Sequence, residues 1–196
     1  MLASNDEIVR SAARRITDGV RLDLSALAEE FGMSRVTLFR RVGNRDELLG
    51  KALWWLADRT LTRASAAWER THGAAVRDDE GWLRCLRIMA DYGNAVLGNT
   101  GFQRLLDDEP ATSIRVLTDP FGQVQPQVIA AHLDLLKRDV TDAGLTAMVD
   151  LETLAYTVVR MGESIMYSEL IAGRTRELSA ATTMINTLVE GVLRAS

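Results

Sequence analysis

The chain has 196 residues, of which 47% are hydrophobic and 26% charged, the composition of a globular protein with enough apolar material for a core. No apolar run approaches the length that spans a bilayer, and the opening Met1-Leu2-Ala3-Ser4-Asn5-Asp6-Glu7 carries acid where a secretory leader needs base. A cytoplasmic protein with no membrane partner is expected. Cys85 is the single cysteine, so no internal disulfide forms, in agreement with a reducing compartment. The net charge of −4 argues weakly against a nucleic-acid partner, but it hides an asymmetry. Residues 1–51 hold nine Lys/Arg against eight Asp/Glu, and 35–45 hold four arginines and no acid. DNA binding needs a local basic footprint, not a basic whole.

In chain order nearly every stretch reads as helix and none alternates with the period of a strand, so an all-α fold is expected. Ser4 and Glu7 form a capping-box pattern that opens a first helix, with Ile8, Ala12 and Ile16 on one face and Gly19 at its end. Asp23 caps a second helix through Phe31, with Leu24, Leu27, Ala28 and Phe31 inward. Gly32-Met33-Ser34 is a short turn, and Ser34 caps a third helix from Arg35 to about Val42. Asn44 and Glu47 pair to open a long fourth helix to about Arg70. A polar linker, Arg77-Asp78-Asp79-Glu80-Gly81, then separates this unit from helices near 82–97, 102–108, 111–118, 124–143, 149–172 and 176–194.

Helix, three-residue turn with glycine, helix is the arrangement that places a second helix in the major groove. On a helical wheel Leu38 and Val42 face inward, Val36, Thr37 and Arg40 face outward, and Phe39 and Arg41 flank them. Arg35, in the first turn, is placed to read guanine, whose O6 and N7 match the guanidinium fork. Thr37 and Arg41 suit phosphate oxygens, and Arg45 adds its charge to the free N–H groups at the start of the fourth helix. Ser25 and Ser34 complete the candidate DNA-contacting set. A plain solvated face is the competing reading of these arginines.

The stretch Leu24–Leu49, LSALAEEFGMSRVTLFRRVGNRDELL, resembles the helix-turn-helix of the TetR family of bacterial repressors. Leu27-Ala28, Gly32, Thr37-Leu38-Phe39, Asn44-Arg45 and Leu48 carry the match. Three departures stand out: Phe39 for the usual tyrosine, Arg40-Arg41 for an aromatic or histidine pair, and Arg45 for lysine. The segment Arg160-Met161-Gly162-Glu163-Ser164 through Tyr167–Gly173 resembles the C-terminal domain of QsdR-type members, which are linked to quorum-signal degradation. The resemblance implies residues 1–51 as the DNA-binding domain and 52–196 as a helical ligand and dimer domain. It further implies a homodimer on palindromic operator DNA, and an apolar small-molecule effector of acyl-lactone or fatty-acyl type.

Two stripes, Leu151, Leu154, Ala155, Val158, Gly162, Ile165, Met166 and Leu178, Ala181, Ile185, Leu188, Val192, Leu193, read either as internal core or as the family's dimer bundle. Candidate pocket residues are Trp55, Met89, Tyr92, Phe102, Phe121, Tyr156, Arg160 and Glu163, set among aromatic and methionine residues that are otherwise core. Arg160 and Glu163, three apart, either pair with each other or offer one member to a ligand. His72 and His132 have no ligand partner at i+3 or i+4, and no phosphate loop or nucleophile elbow is present. No metal, no cofactor and no enzymatic activity are expected. The rival is a helical carrier of an apolar molecule that binds no DNA.

Overall fold

The helix starts follow from hydrogen bonds written locally into the chain. In the computed structural model, which describes residues 3–173 and 178–195, α1 (Asn5–Thr17) opens on a complete capping box. Ser4 Oγ accepts from Glu7 N–H at 3.2 Å while the Glu7 carboxylate accepts from Ser4 N–H at 2.5 Å. Asp23 Oδ1 accepts from the N–H groups of Ser25 and Ala26 to open α2 (Leu24–Glu30). Ser34 Oγ accepts from Thr37 N–H at 3.1 Å to open α3 (Arg35–Val42). Asn44 and Glu47 exchange bonds of 2.9 and 2.8 Å ahead of α4 (Arg45–His72). Each cap satisfies donors that the first turn leaves without partners.

The remaining described elements are α5 (Arg84–Leu97), α6 (Thr100–Asp108), α7 (Pro110–Thr118), α8 (Gln125–Asp142), β1 (Leu145–Ala147), α9 (Leu151–Met166), α10 (Ser168–Ala172), α11 (Leu178–Val192) and β2 (Leu193–Ala195). The fold is all-α, with two corrections to the expected elements. Strands β1 and β2 form a small antiparallel ladder with Thr146 opposite Arg194; three residues are too few for alternation to show. The helix expected over 149–172 divides at Tyr167, where the Ser168 hydroxyl donates to the Ile165 carbonyl at 2.8 Å and competes with the helical ladder. The start expected at 176 and the side chain of Leu178 lie outside the described residues. Among the described residues no helix is long and apolar enough to cross a membrane.

Two compact units emerge, and neither is continuous in sequence. The first comprises 1–59 and 96–127, the second 60–95 and 128–196. In the first, Ile8, Leu27, Leu38, Leu48 and Leu49 are fully buried, so α1 to α3 and the start of α4 share one apolar centre. Ser11 and Arg15 of α1 both bond the Glu30 carboxylate of α2, at 2.5 and 2.7 Å. Helix α6 meets the end of α1 at Gly101, where a Cβ would stand 2.1 Å from the Ile16 carbonyl oxygen and 2.3 Å from that of Thr17. Only glycine allows that approach.

In the second unit, Leu83, Leu86, Leu136, Leu154, Ala155, Val158, Val189 and Leu193 pack as one core. Cys85 is buried there, and burial pushes its thiol well above the ordinary range, so it fills space as an apolar side chain. Within that core, Asp139 is fully buried; it accepts from Arg84 Nε at 2.7 Å and from Cys85 N–H at 2.6 Å. The stretch 77–81, expected as a separating linker, is a folded turn of this unit. Asp78 accepts from Glu80 and Trp82 N–H groups and pairs with Arg87, which also reaches Glu80. Polar composition marked the turn but could not show that its charges were already paired.

Candidate nucleic-acid interface and buried polar cluster

Helix α3 presents one face to the α1–α2 core and the other to solvent. Leu38 and Val42 are buried, whereas Arg35, Val36, Thr37, Phe39 and Arg40 are exposed. Gly32, at φ +61°, turns the chain between α2 and α3 in a conformation that side chains disfavour. Val36 is 60% and Phe39 56% exposed. Large apolar side chains so bare on a short basic helix suit contact with a thymine methyl or a sugar edge. Arg35 stands clear of any ion pair among the described residues, as does Arg40, so both guanidinium groups are available. Thr37 shares a 2.9 Å hydroxyl contact with Ser34, and Ser25 is half-buried in the first turn of α2.

Arg41 and Arg45 are placed differently from the free phosphate contacts expected of them. Arg41 Nε donates to Asn5 Oδ1 at 3.0 Å and Nη2 donates to the Ala3 carbonyl, while Asn5 Nδ2 donates back to the Arg41 carbonyl. It ties the beginning of α1 to the end of α3. Arg45 Nε donates to the Leu22 carbonyl at 2.8 Å and Nη2 meets Glu109 Oε1 at 2.6 Å, an oxygen shared with Arg21 at 3.3 Å. Its charge is taken up inside the first unit. A cleft of about 320 Å³, lined by Leu22, Gly101, Arg104 and Glu109 among others, opens beside this network.

The candidate pocket residues are distributed over both compact units. Phe121 is 93% exposed and Tyr156 51% exposed, so neither lines an enclosed space in the single chain. Trp55 and Phe102 belong to the first unit: Arg59 lies over the Trp55 ring at 4.8 Å, and Phe102 is buried at the start of α6. Met89 is buried in the core of the second unit. Hydrophobicity marks residues that favour burial, but not which helix face finds a neighbour.

Tyr92, Arg160 and Glu163 do come together, with two residues the sequence reading left out of the site. Arg160 Nη1 meets Glu163 Oε2 at 2.5 Å, the pairing alternative. His132 of α8 lies edge-on to the Tyr92 ring at 5.8 Å, and its Nδ1 bonds the Val128 carbonyl at 2.9 Å. Burial lowers the His132 pKa to about 4, so the ring is neutral at pH 7. The fifth member is Tyr167, at the break between α9 and α10. It is 3% exposed, and its hydroxyl has no hydrogen-bond partner among the described residues. Burial, and then the Glu163 carboxylate, push both tyrosines far above the ordinary phenol range, so both keep their protons. Apolar side chains Leu61, Ala64, Trp68 and Ile88 pack beside Tyr92. In sequence, His132 was read for a metal-ligand partner at i+3 or i+4, and had none; the carbonyl four residues before it, that of Val128, is what its ring finds.

The family described as "Tetracyclin repressor-like, C-terminal domain" matches residues 80–190. The chain belongs to the TetR family. Membership makes it a transcription regulator whose N-terminal helix-turn-helix binds DNA and whose helical C-terminal domain binds a ligand. Among solved structures it is similar to the transcriptional repressor QsdR of R. erythropolis, itself from the TetR family, at 28% identity. That match covers 98% of this chain and 96% of QsdR, with a TM-score of 0.81. The fold alone is shared with the TetR-family repressor AlkX of Dietzia sp., implicated in biodegradation of n-alkanes, at 18% identity, TM-score 0.59 and 98% of each chain. It is shared likewise with a TetR regulator from Haloarcula marismortui, at 16% identity, TM-score 0.55, and 97% and 98% of the two chains. No curated protein matches the chain.

Proposed function

We propose that this TetR-family chain is a cytoplasmic repressor that binds palindromic operator DNA as a homodimer and leaves it when a small apolar effector, acyl-lactone or fatty-acyl in type, enters the C-terminal domain. It works by binding, without catalysis. Residues 1–51 read DNA; 52–196 carry the ligand and dimer functions, although 96–127 fold within the first compact unit. The observation that carries the reading is the exposed face of α3, with Arg35 and Arg40 beside bare Val36 and Phe39. Arg35→Ala is expected to cost about 1–3 kcal/mol of operator binding and to relax preference at one base pair, as loss of a bidentate guanine contact does. Competition binding with single-base operator variants measures it. Equal weakening on every DNA would make Arg35 a phosphate contact instead.

The homodimer is supported by the outer face of α11. Its exposed residues Ser179, Ala180, Thr183, Met184, Thr187 and Gly191 include no charge, and Met184 is 54% exposed. A long uncharged helix face suits close packing against a second copy. Ile185 and Val192, by contrast, pack inward on the core of the second unit. Met184→Glu is therefore expected to leave the single chain folded while splitting the dimer, because a carboxylate buried in the seam costs several kcal/mol. Light scattering should read monomer mass with unchanged helicity, together with lost operator affinity. A dimer that persists in Met184→Glu places the seam elsewhere. Helix α4, which begins in the DNA-reading unit and ends in the second, is the continuous element through which effector binding would change the spacing of two recognition helices.

A further inference from the structure

In the cluster of the second unit His132, Glu163 and Tyr167 are buried while the Arg160 side chain is 46% exposed, and one polar group is in excess of what the cluster's own contacts use. Arg160 and Glu163 neutralise each other at 2.5 Å. His132 spends its Nδ1 on the Val128 carbonyl and stays uncharged, and both tyrosines stay protonated. One strong donor, the Tyr167 hydroxyl, is buried without a partner among the described residues. A buried polar group left unpaired is costly, so an unpaired one fixed at a helix break asks for an acceptor from outside the chain. Tyr92, near enough to act on this hydroxyl, packs against the apolar side chains Leu61, Trp68 and Ile88 and is half-buried as a residue.

We propose that the Tyr92–His132–Arg160–Glu163–Tyr167 cluster selects effectors with an uncharged, hydrogen-bond-accepting head group, a lactone, ester, amide or ketone carbonyl, that takes the Tyr167 O–H. The inference rests on the proposal that the C-terminal domain takes an apolar effector, and it divides the acyl class. Neutral carbonyl compounds fit. Free carboxylates do not, since an anion taking the Tyr167 O–H would lie close to the buried Glu163 carboxylate, a like charge that already acts on that hydroxyl. An aliphatic tail on the head group would run along the apolar side chains beside Tyr92.

The test compares N-decanoyl homoserine lactone with its ring-opened acid, which differs by one water and one negative charge. Calorimetric titration without DNA keeps the result independent of operator binding, so a chain that fails to repress can still pass, and the reverse. The lactone is expected to bind at least about tenfold more tightly than the acid. Tyr167→Phe is expected to weaken lactone binding roughly five- to tenfold, the size of one neutral hydrogen bond, while the ligand-free variant melts no lower than the parent. A structural role for the hydroxyl would instead lower the melting temperature. Equal or tighter binding of the acid, no lactone binding at millimolar concentration, unchanged lactone affinity in Tyr167→Phe, or a destabilised ligand-free variant would each overturn the assignment.

Discussion

Asp139→Ala should lower the unfolding free energy by about 3–5 kcal/mol, the usual result of stripping one partner from a buried ion pair. Asp139 is fully buried and each of its oxygens has its own donor, Arg84 Nε at 2.7 Å and Cys85 N–H at 2.6 Å. Removing it strands a guanidinium in the core and orphans the second backbone donor of α5. Asp142 still reaches Arg84 Nη2 at 2.6 Å, but its side chain is nearly half exposed. That residual partner places the loss toward the lower end of the range. Denaturant melts measure it. A paired change, Arg84→Met with Asp139→Leu, should cost less than the single substitution, because two apolar side chains leave no orphaned charge. If the single variant melts like the parent, the pair contributes nothing and α5 is held by its apolar face alone.

Gly101→Ala is the second large effect, and it acts in the other unit. The added methyl would stand 2.1 and 2.3 Å from the carbonyl oxygens of Ile16 and Thr17, and both are backbone atoms at the end of α1. No rotamer relieves such a contact, so α6 or α1 must move. Overpacking costs about 1–3 kcal/mol, and a backbone-on-backbone clash belongs at the top of that range. Thermal melts should show a loss of several degrees. An unshifted melt would mean that α6 slides freely along α1. Gly93 makes the control, since a Cβ there meets nothing within 4 Å.

How far the chain could be read before its structure depended on sequence separation. Ser4 with Glu7, Asp23, Ser34, and Asn44 with Glu47 were legible because a cap and its donor lie within three residues. The burial of Leu38 and Val42 followed from helical period alone. Arg41 and Arg45 were not legible in the same way. Their partners, Ala3, Asn5 and Glu109, lie 36 to 64 positions away, and a charge count cannot show that a guanidinium is already taken. The same limit hid Tyr167, whose hydroxyl has no hydrogen-bond partner among the described residues, an outcome set by helices far apart in sequence. The resemblance to TetR proteins gave the class of function early. The head-group chemistry had to come from the folded cluster.

Selection from a random DNA pool with the purified protein tests the DNA-reading claim most directly. The exposed α3 face of a two-fold dimer should enrich an inverted repeat whose half-site centres lie about 10 base pairs apart, one helical turn of roughly 34–36 Å. Affinity for that sequence should fall linearly with the logarithm of salt concentration, as phosphate contacts require, and Arg35→Ala should lose selectivity at one position of each half-site. A pool that stays random after repeated rounds, or enriches sequences with no two-fold symmetry, would contradict the reading of this chain as a dimeric operator-binding repressor.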